Sequence, residues 1–502
     1  MPELDPTFSE LPLDALADAA LSRAKSLGAS HADVRVERHR SAITMLRDAA
    51  VTTATDSVDL GISVRVVHEG AWGFAAGVAL SVDAAAALAE QAVHIARVTQ
   101  PLSPHPVKLA DEPVHTGTWV SNYDQNPFDV PADVRQGRLA ELSRALGSQA
   151  GVTHTSATVM AAQENTFFAN LAGTRTLQQR VRIHPDFSAI HVGETGLSTM
   201  RTIAPPVGRG WEYLTGTGWD FDSEIAGLGE LLAENAAAPG VEAGLHDLLI
   251  DPSQLWLTIH ESVAHGTELD RALGYEAAYA GTSFATINQL GSLQYGSPVM
   301  NVTGDRSTEH GLASVAWDSE GVEPQRFDII RDGVLVGYQL NRQMAAERGL
   351  NDRRSNGCAY ADSASHIPMQ RMPNVSLAAA DQDVTLDDLL DQLGDGLYVV
   401  GDKSWSIDMQ RYNFQFTGQR FHQVKGGKIV GQVRDAAYQA TTTDFWGSME
   451  AVGGPSTWSL QGAFNCGKGQ PGQVAAVSHG TPAALFRQVN VLNTAAENQE
   501  QN

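Results

Sequence analysis

Two histidines bracket a glutamate in the stretch His260-Glu261-Ser262-Val263-Ala264-His265. Imidazole nitrogens hold metal ions, and a carboxylate beside them can take a proton from a metal-bound water. That is the equipment of a hydrolytic zinc site. In the better-known H-E-x-x-H arrangement the histidines stand at i and i+4, about 40° apart around a regular helix. Here the second histidine is at i+5, about 140° from the first on the same helix. Both can face one ion only where the helix widens into a π turn or ends between them. Gly266, next in line, fits an ending or a distortion. With 16 histidines in the chain the pattern also arises by chance, and a hydrogen-bonded surface pair is the competing reading. Spacing alone leaves the two open.

The surroundings of the motif carry more. His-Glu-Ser-Val-Ala-His-Gly-Thr-Glu-Leu-Asp (260–270) resembles the H-E-x-x-x-H-G-x-E-x-D signature of the TldD/PmbA family of metallopeptidases. Further stretches resemble that family in its own order: 314–321, 365–374, the strand around Ile407-Asp408, and Asn465-Cys466-Gly467-Lys468. Upstream, 32–37 and 61–73 match the family's opening pattern, so the resemblance covers nearly the whole chain.

The resemblance implies a third metal ligand, Cys466, joining His260 and His265 around one zinc ion, with another divalent metal as the alternative. Independently, a thiolate is a strong zinc ligand, and Asn465-Cys466-Gly467 reads as a glycine-rich turn from which the sulfur projects. Three protein ligands leave one tetrahedral position open, as in catalytic sites. Glu261 is then the general base. Glu268 and Asp270 match the signature; they either accept the free N–H of a ligating histidine or lie as surface acids after the helix. His366 and Arg371 are candidates for lining the cleft or binding a peptide carboxylate, with a structural hydrogen bond as the alternative for each. Asp408 matches a family position without a derivable role, and Cys358 falls in no motif.

For function, the resemblance implies a zinc-dependent peptidase for unfolded, short or modified peptides. It also implies a dimer, with a TldE/PmbA-like partner subunit or with a second copy. Two readings compete: a non-catalytic peptide-binding subunit, and a metal-dependent amidase acting on a small-molecule peptide conjugate.

Composition narrows the partners. The 502 residues carry 34 basic and 58 acidic side chains, a net charge of −24, which argues against nucleic acid or an anionic membrane surface. No secretory signal pattern or long apolar run stands out, and two cysteines make no disulfide framework, so the expected location is cytoplasmic.

The elements that must position the motif can be read in outline. Apolar residues at helical spacing fill 13–27, closed by Gly28. Residues 32–38 alternate apolar and charged, as in a half-buried strand, and 62–74 read as a hairpin turning at Glu69-Gly70. Helices are expected from Ser81 to Val98 and from Pro131 to Leu146, followed by strands over 152–192. Asp251-Pro252 supplies an N-cap and a first-turn proline, so the motif helix starts there. The expected fold is α+β: an amino-terminal α/β domain (1–240), then a barrel-like antiparallel β domain carrying the metal-binding helix (241–492), and a flexible polar tail (493–502).

Overall fold

The alternation over 32–38 forms a strand, but one with both faces covered. The computed structural model describes residues 2–103, 105–193 and 196–496. Its first half is built on a seven-stranded sheet. The strands are β1 (His31–Arg47), β2 (Ala50–His68), β3 (Ala71–Gly77), β4 (Thr116–Val120), β5 (His154–Asn170), β6 (Arg175–Gly193) and β7 (Gly196–Arg201). They run in the order β3-β2-β1-β5-β6, with β4 and β7 both pairing with β6. Only the β4–β6 pair is parallel.

Ala32, Val34 and Val36 turn to one face and meet the helices Leu13–Ser26 and Val82–Thr99 in a shared core. Asp33, Arg35 and Glu37 turn to the other face and are equally buried, contrary to the half-buried expectation. The reason is electrostatic pairing across to the second half of the chain. Arg65 bonds Asp33 at 2.8 Å and Glu320 at 3.0 Å, and Arg35 bonds Glu37 at 2.9 Å. Burial alone would raise Asp33, yet Arg65 and His31 hold it well below the usual carboxylate range.

The hairpin expected at Glu69-Gly70 joins β2 to β3, both turn residues taking positive φ (50° and 77°). A second pair of helices, Ala132–Gly147 and Phe221–Ala237, packs with Val159, Ile183 and Phe187 of β5 and β6.

The second half closes a five-stranded barrel. Its strands are β8 (Gly244–Ile250), β9 (Gly396–Ile407), β10 (Asn413–Lys425), β11 (Ala436–Thr441) and, last in the chain, Ala484–Asn493. They connect as β9-β8-(484–493)-β11-β10, and β10 pairs back to β9. One joint, β8–β9, is parallel; the rest are antiparallel. In β8, Leu248 and Ile250 point to the main core while Leu249 packs with the helix Leu386–Leu393, so all three apolar residues are covered. The expected tail does not start at 493: Asn493 ends the last strand and Thr494 donates its N–H to the Asp435 carbonyl. Residues 497–502 of that expectation lie outside the described residues.

Among the described residues no helix is long and apolar enough to cross a membrane. Where β3 meets the helix Val82–Thr99, a Cβ on Gly73 would stand 1.9 Å from the Ala92 carbonyl oxygen. Gly73→Ala is therefore expected to cost about 1–3 kcal/mol of stability, read as a lowered urea midpoint. An unchanged midpoint would show that the helix withdraws without penalty.

Candidate metal centre

The motif helix begins as its sequence dictates. Asp251 accepts the Ser253 N–H at 2.9 Å, Pro252 takes the first helical position, and Pro252–Ile259 runs as a fully buried α-helix. It then widens: His260–Ala264 is a π turn in which the His265 N–H donates to the His260 carbonyl, followed by a 3₁₀ turn over His265–Thr267. With one extra residue in the turn, i+5 takes the place that i+4 holds in a regular helix. The two imidazoles accordingly lie with ring centroids 4.7 Å apart.

Such a turn needs outside donors for its carbonyls. The Tyr295 hydroxyl donates to the Ser262 carbonyl at 2.5 Å, Thr267 Oγ1 to that of Val263 at 2.9 Å, and Gln339 Nε2 to that of Ala264 at 2.6 Å. Trp446, fully buried, donates its indole N–H to Ser262 Oγ at 2.9 Å.

Cys466 arrives from the other end of the chain. It lies in β12, here the strand Ser459–Lys468, and not in the turn expected from its glycine neighbour. That strand pairs with β13 (Gln473–Thr481), and its register shifts by one residue between Ala463 and Cys466. The bulge re-aims the strand, and Cys466 is buried with its Sγ 3.5 Å from His265 Nε2. His260, His265 and Cys466 each offer a ligand atom, and these atoms all lie within 4.8 Å of one another.

The ring nitrogens facing away from this point are tied down. His479 Nδ1 donates to the Val375 carbonyl at 2.8 Å, which leaves its Nε2 to accept from His260 Nδ1 at 2.7 Å. His265 Nδ1 meets Glu268 Oε2 at 2.9 Å. Both histidines thus carry their proton on Nδ1 and present an Nε2 lone pair to the cluster. Burial pushes His260 and His265 down to about 4, so both are neutral at pH 7. Burial works against the Cys466 thiolate, but the Arg371 guanidinium opposes it and the thiol sits below its ordinary value. Two neutral imidazoles and a thiol inclined to ionise are the donor set of a zinc site.

Around these groups lies a buried set of charges. Lys468 Nζ reaches Asp270 at 2.7 Å, Glu268 at 3.2 Å and the Gln370 carbonyl at 2.9 Å. Arg271, also buried, donates to Glu268 at 3.3 Å. Burial would raise Glu268, but Lys468, His265 and Arg271 hold it well below its usual range. Asp270 is raised, its burial prevailing over Lys468.

The remaining expected residues scatter. Glu268 does accept from a candidate ligand, whereas Asp270 serves Lys468 instead. Arg371 donates Nη2 to the Cys466 carbonyl at 2.8 Å and is fully buried, so it braces the strand that bears the thiol. His366 stands apart from the cluster, bonded to Asp362 at 2.6 Å, with its carbonyl accepting from Arg35. Asp408 gains a contact that explains its place. At the tip of the β9–β10 hairpin it accepts the backbone N–H groups of Gln410, Tyr412 and Asn413. It thereby holds the loop in which Arg411 takes φ 62° and donates to Glu261 Oε2 at 2.5 Å.

Comparison with known proteins identifies the family. A model of the PmbA/TldA metallopeptidase C-terminal domain matches residues 245–493, and one of domain 1 of the same metallopeptidases matches 32–96. This chain belongs to the PmbA/TldD metallopeptidase family. A metalloprotease of Methanothermobacter thermautotrophicus is 24% identical over 468 residues, 92% of this chain and 96% of that one. A zinc metalloprotease TldD homolog of Saccharolobus solfataricus is 21% identical over 481 residues, 94% of this chain and 98% of its own. TldE from Thermococcus kodakarensis shares the fold, with a TM-score of 0.69 at 14% identity over 94% of this chain and 98% of that chain.

For this PmbA/TldD family member the sequence reading missed His479, Arg411 and Arg271. Lys468 lay inside a quoted motif without a role. The interactions of His479 and Arg411 depend on which strands meet, and nothing in local spacing announces them. His479→Leu is expected to leave the fold intact while weakening zinc binding about 10–100-fold, as measured by chelator competition. Wild-type affinity in that variant would remove His479 from the support of His260.

Proposed function

We propose that this chain is a zinc-dependent peptidase of TldD type that hydrolyses unfolded, short or modified peptides. The observation that carries the reading is the convergence of His260 Nε2, His265 Nε2 and Cys466 Sγ, with both outer imidazole nitrogens already engaged. A zinc ion held by these three supplies Lewis acidity, lowering the pKa of a water toward neutrality and polarising a carbonyl.

The chain's own groups do the rest. Glu261, one residue after the first ligand, is the general base. Its Oε2 accepts from Arg411, leaving Oε1 to take the proton and deliver it to the departing amine. Glu268 and His479 hold the two imidazoles in the tautomer that faces the cluster. Arg371 fixes the Cys466 backbone. The Asp408-braced tip keeps Arg411 against Glu261.

The TldE-like fold supports an assembly with a TldE/PmbA-like subunit or with a second copy of this chain. The strongly acidic composition speaks against nucleic acid or an anionic membrane as a partner, and the two free cysteines support a cytoplasmic location.

Elemental analysis of protein purified without chelators is expected to give one zinc per chain, lost in Cys466→Ala. Full occupancy in Cys466→Ala would take the thiol out of the site. Glu261→Gln should keep its zinc and its fold yet lose about 10²–10⁴-fold in turnover on a peptide library read by mass spectrometry. Undiminished cleavage by that variant would rule out Glu261 as the base.

A further inference from the structure

A cavity of about 470 Å³, lined by none of the histidine–cysteine cluster, lies between the edge strand β4, the strand β6 and residues 306–317. Three arginines line it, Arg180, Arg182 and Arg306, exposed by only 8%, 4% and 3%. Its volume is that of a small-molecule site.

Among the described residues these arginines outnumber the carboxylates bonded to them. Glu164 is the one carboxylate bonded to Arg180 and Arg182, and it serves both. Arg306 has no acid within ion-pair distance among the described residues; its Nε and Nη1 go to the carbonyls of Ala313, Gly357 and Ala359. The buried Nε of Arg182 has no hydrogen-bond partner among the described residues. Nearby Glu37 pairs with Arg35 through Oε1, while its buried Oε2, without a hydrogen-bond partner among the described residues, also favours the charge of Arg180. Asp318, the other acid close to Arg306, is pushed up to about 7 by burial and by Glu320, and its oxygens accept backbone N–H groups. Glu309 and Glu323 stand at the rim, exposed to solvent and its screening. Burial lowers Arg306, and the neighbouring Arg180 lowers it further.

Three guanidiniums taken out of water thus share one directly bonded carboxylate among the described residues, which leaves them receptive to a further anion. Guanidinium is the side chain best matched to carboxylate and phosphate oxygens. The walls add a second preference. Trp119 and Trp317 both line the cavity, and the Trp317 ring lies where a Cβ on Gly117 would approach it to 3.4 Å. Flat apolar surface beside cationic floor suits a ligand with a planar body and an anionic head.

We propose that this cavity is a binding site for a small oxyanion, a carboxylate or a phosphate, carried on a flat apolar group. Arg180, Arg182 and Arg306 meet the head, and Trp119 and Trp317 flank the body. The site is separate from the metal cluster and does not depend on the peptidase reading.

Isothermal titration of the full chain with phenyl phosphate, benzoate and phenol tests it. Saturable 1:1 binding of phenyl phosphate or benzoate, with phenol at least tenfold weaker, is the expected result. The tighter of the two heads identifies a phosphate or a carboxylate as the source. Arg306→Gln should lose at least tenfold in affinity. Because Arg306 also braces three carbonyls, Thr308→Glu provides a second variant, placing a carboxylate at the lining without removing a buried group. It too should lose tenfold or more. Absence of binding by both anions, phenol binding as tightly as either, or undiminished anion binding in folded Thr308→Glu would overturn the proposal.

Discussion

Two histidines five residues apart can face one point from a helix only if that helix widens or ends between them; here it takes an extra residue into its turn, and much of the second half of this chain answers to that distortion. The widening calls for donors to the carbonyls of Ser262, Val263 and Ala264, deep in a core where water does not substitute. Tyr295, Thr267 and Gln339 supply them from three different segments. Leaving one such buried carbonyl unserved costs about 1–3 kcal/mol, so each donor is held as firmly as the turn it serves. Trp446, packed on Phe445 and Phe486, closes the remaining side through Ser262. The barrel fixes the helix at its root, because β8 runs directly into Asp251 and Pro252. Tyr438 of β11 anchors its body through Gln254 and Thr258.

Charge is handled by the same economy of burial. Around the cluster, Glu268 and Asp270 face Lys468 and Arg271, two acids against two bases, all essentially out of solvent. On the charged face of β1 and β2, Asp33 and Glu320 flank Arg65 while Glu37 meets Arg35. In both places removal of one partner would strand an opposite charge, at a cost of about 3–5 kcal/mol. The second set also joins the halves of the chain, since Glu320 and the His366 carbonyl belong to the later half. Beside these sets, Arg180 and Arg182 share the single carboxylate of Glu164, and both line an open cavity.

Local patterns in the sequence foretold local structure well. The Asp251-Pro252 start, the Glu69-Gly70 hairpin and the helix after Ser81 depend on residues within a turn of one another, and each formed where its chemistry dictated. The i+5 spacing called for a π turn or a helix end between the histidines, because helix geometry offers few ways to bring them together, and the structure contains the π turn. Features set by register were illegible. The sequence around Cys466 reads as a turn, yet the residue lies on a strand whose bulge is defined only against Ala475 and Val477 of the facing strand. His479 has no spacing relation to His260, 219 residues away. The charged alternation in β1 signals a solvated face by every local rule, and only the arrival of Glu320 and the His366 carbonyl shows that it is covered.

The path from His260 to Cys466 explains why these distant parts must be specified together. The strand pair β12–β13 stands outside the closed barrel and packs against the metal helix, so its register against that helix is set by side chains and not by a shared ladder. His479, at one end of the pair, holds His260, while Cys466 and Lys468 at the other end face His265 and Glu268. Arg371 ties the same strand to the segment that also carries the Cys358 carbonyl. A slip of one residue in β12 would turn Cys466 to the opposite face and withdraw Lys468 from two carboxylates at once. The bulge at 463–466 and the buried charge set therefore enforce the same register. It is this double constraint, and not the helix motif alone, that brings the third donor to the histidines.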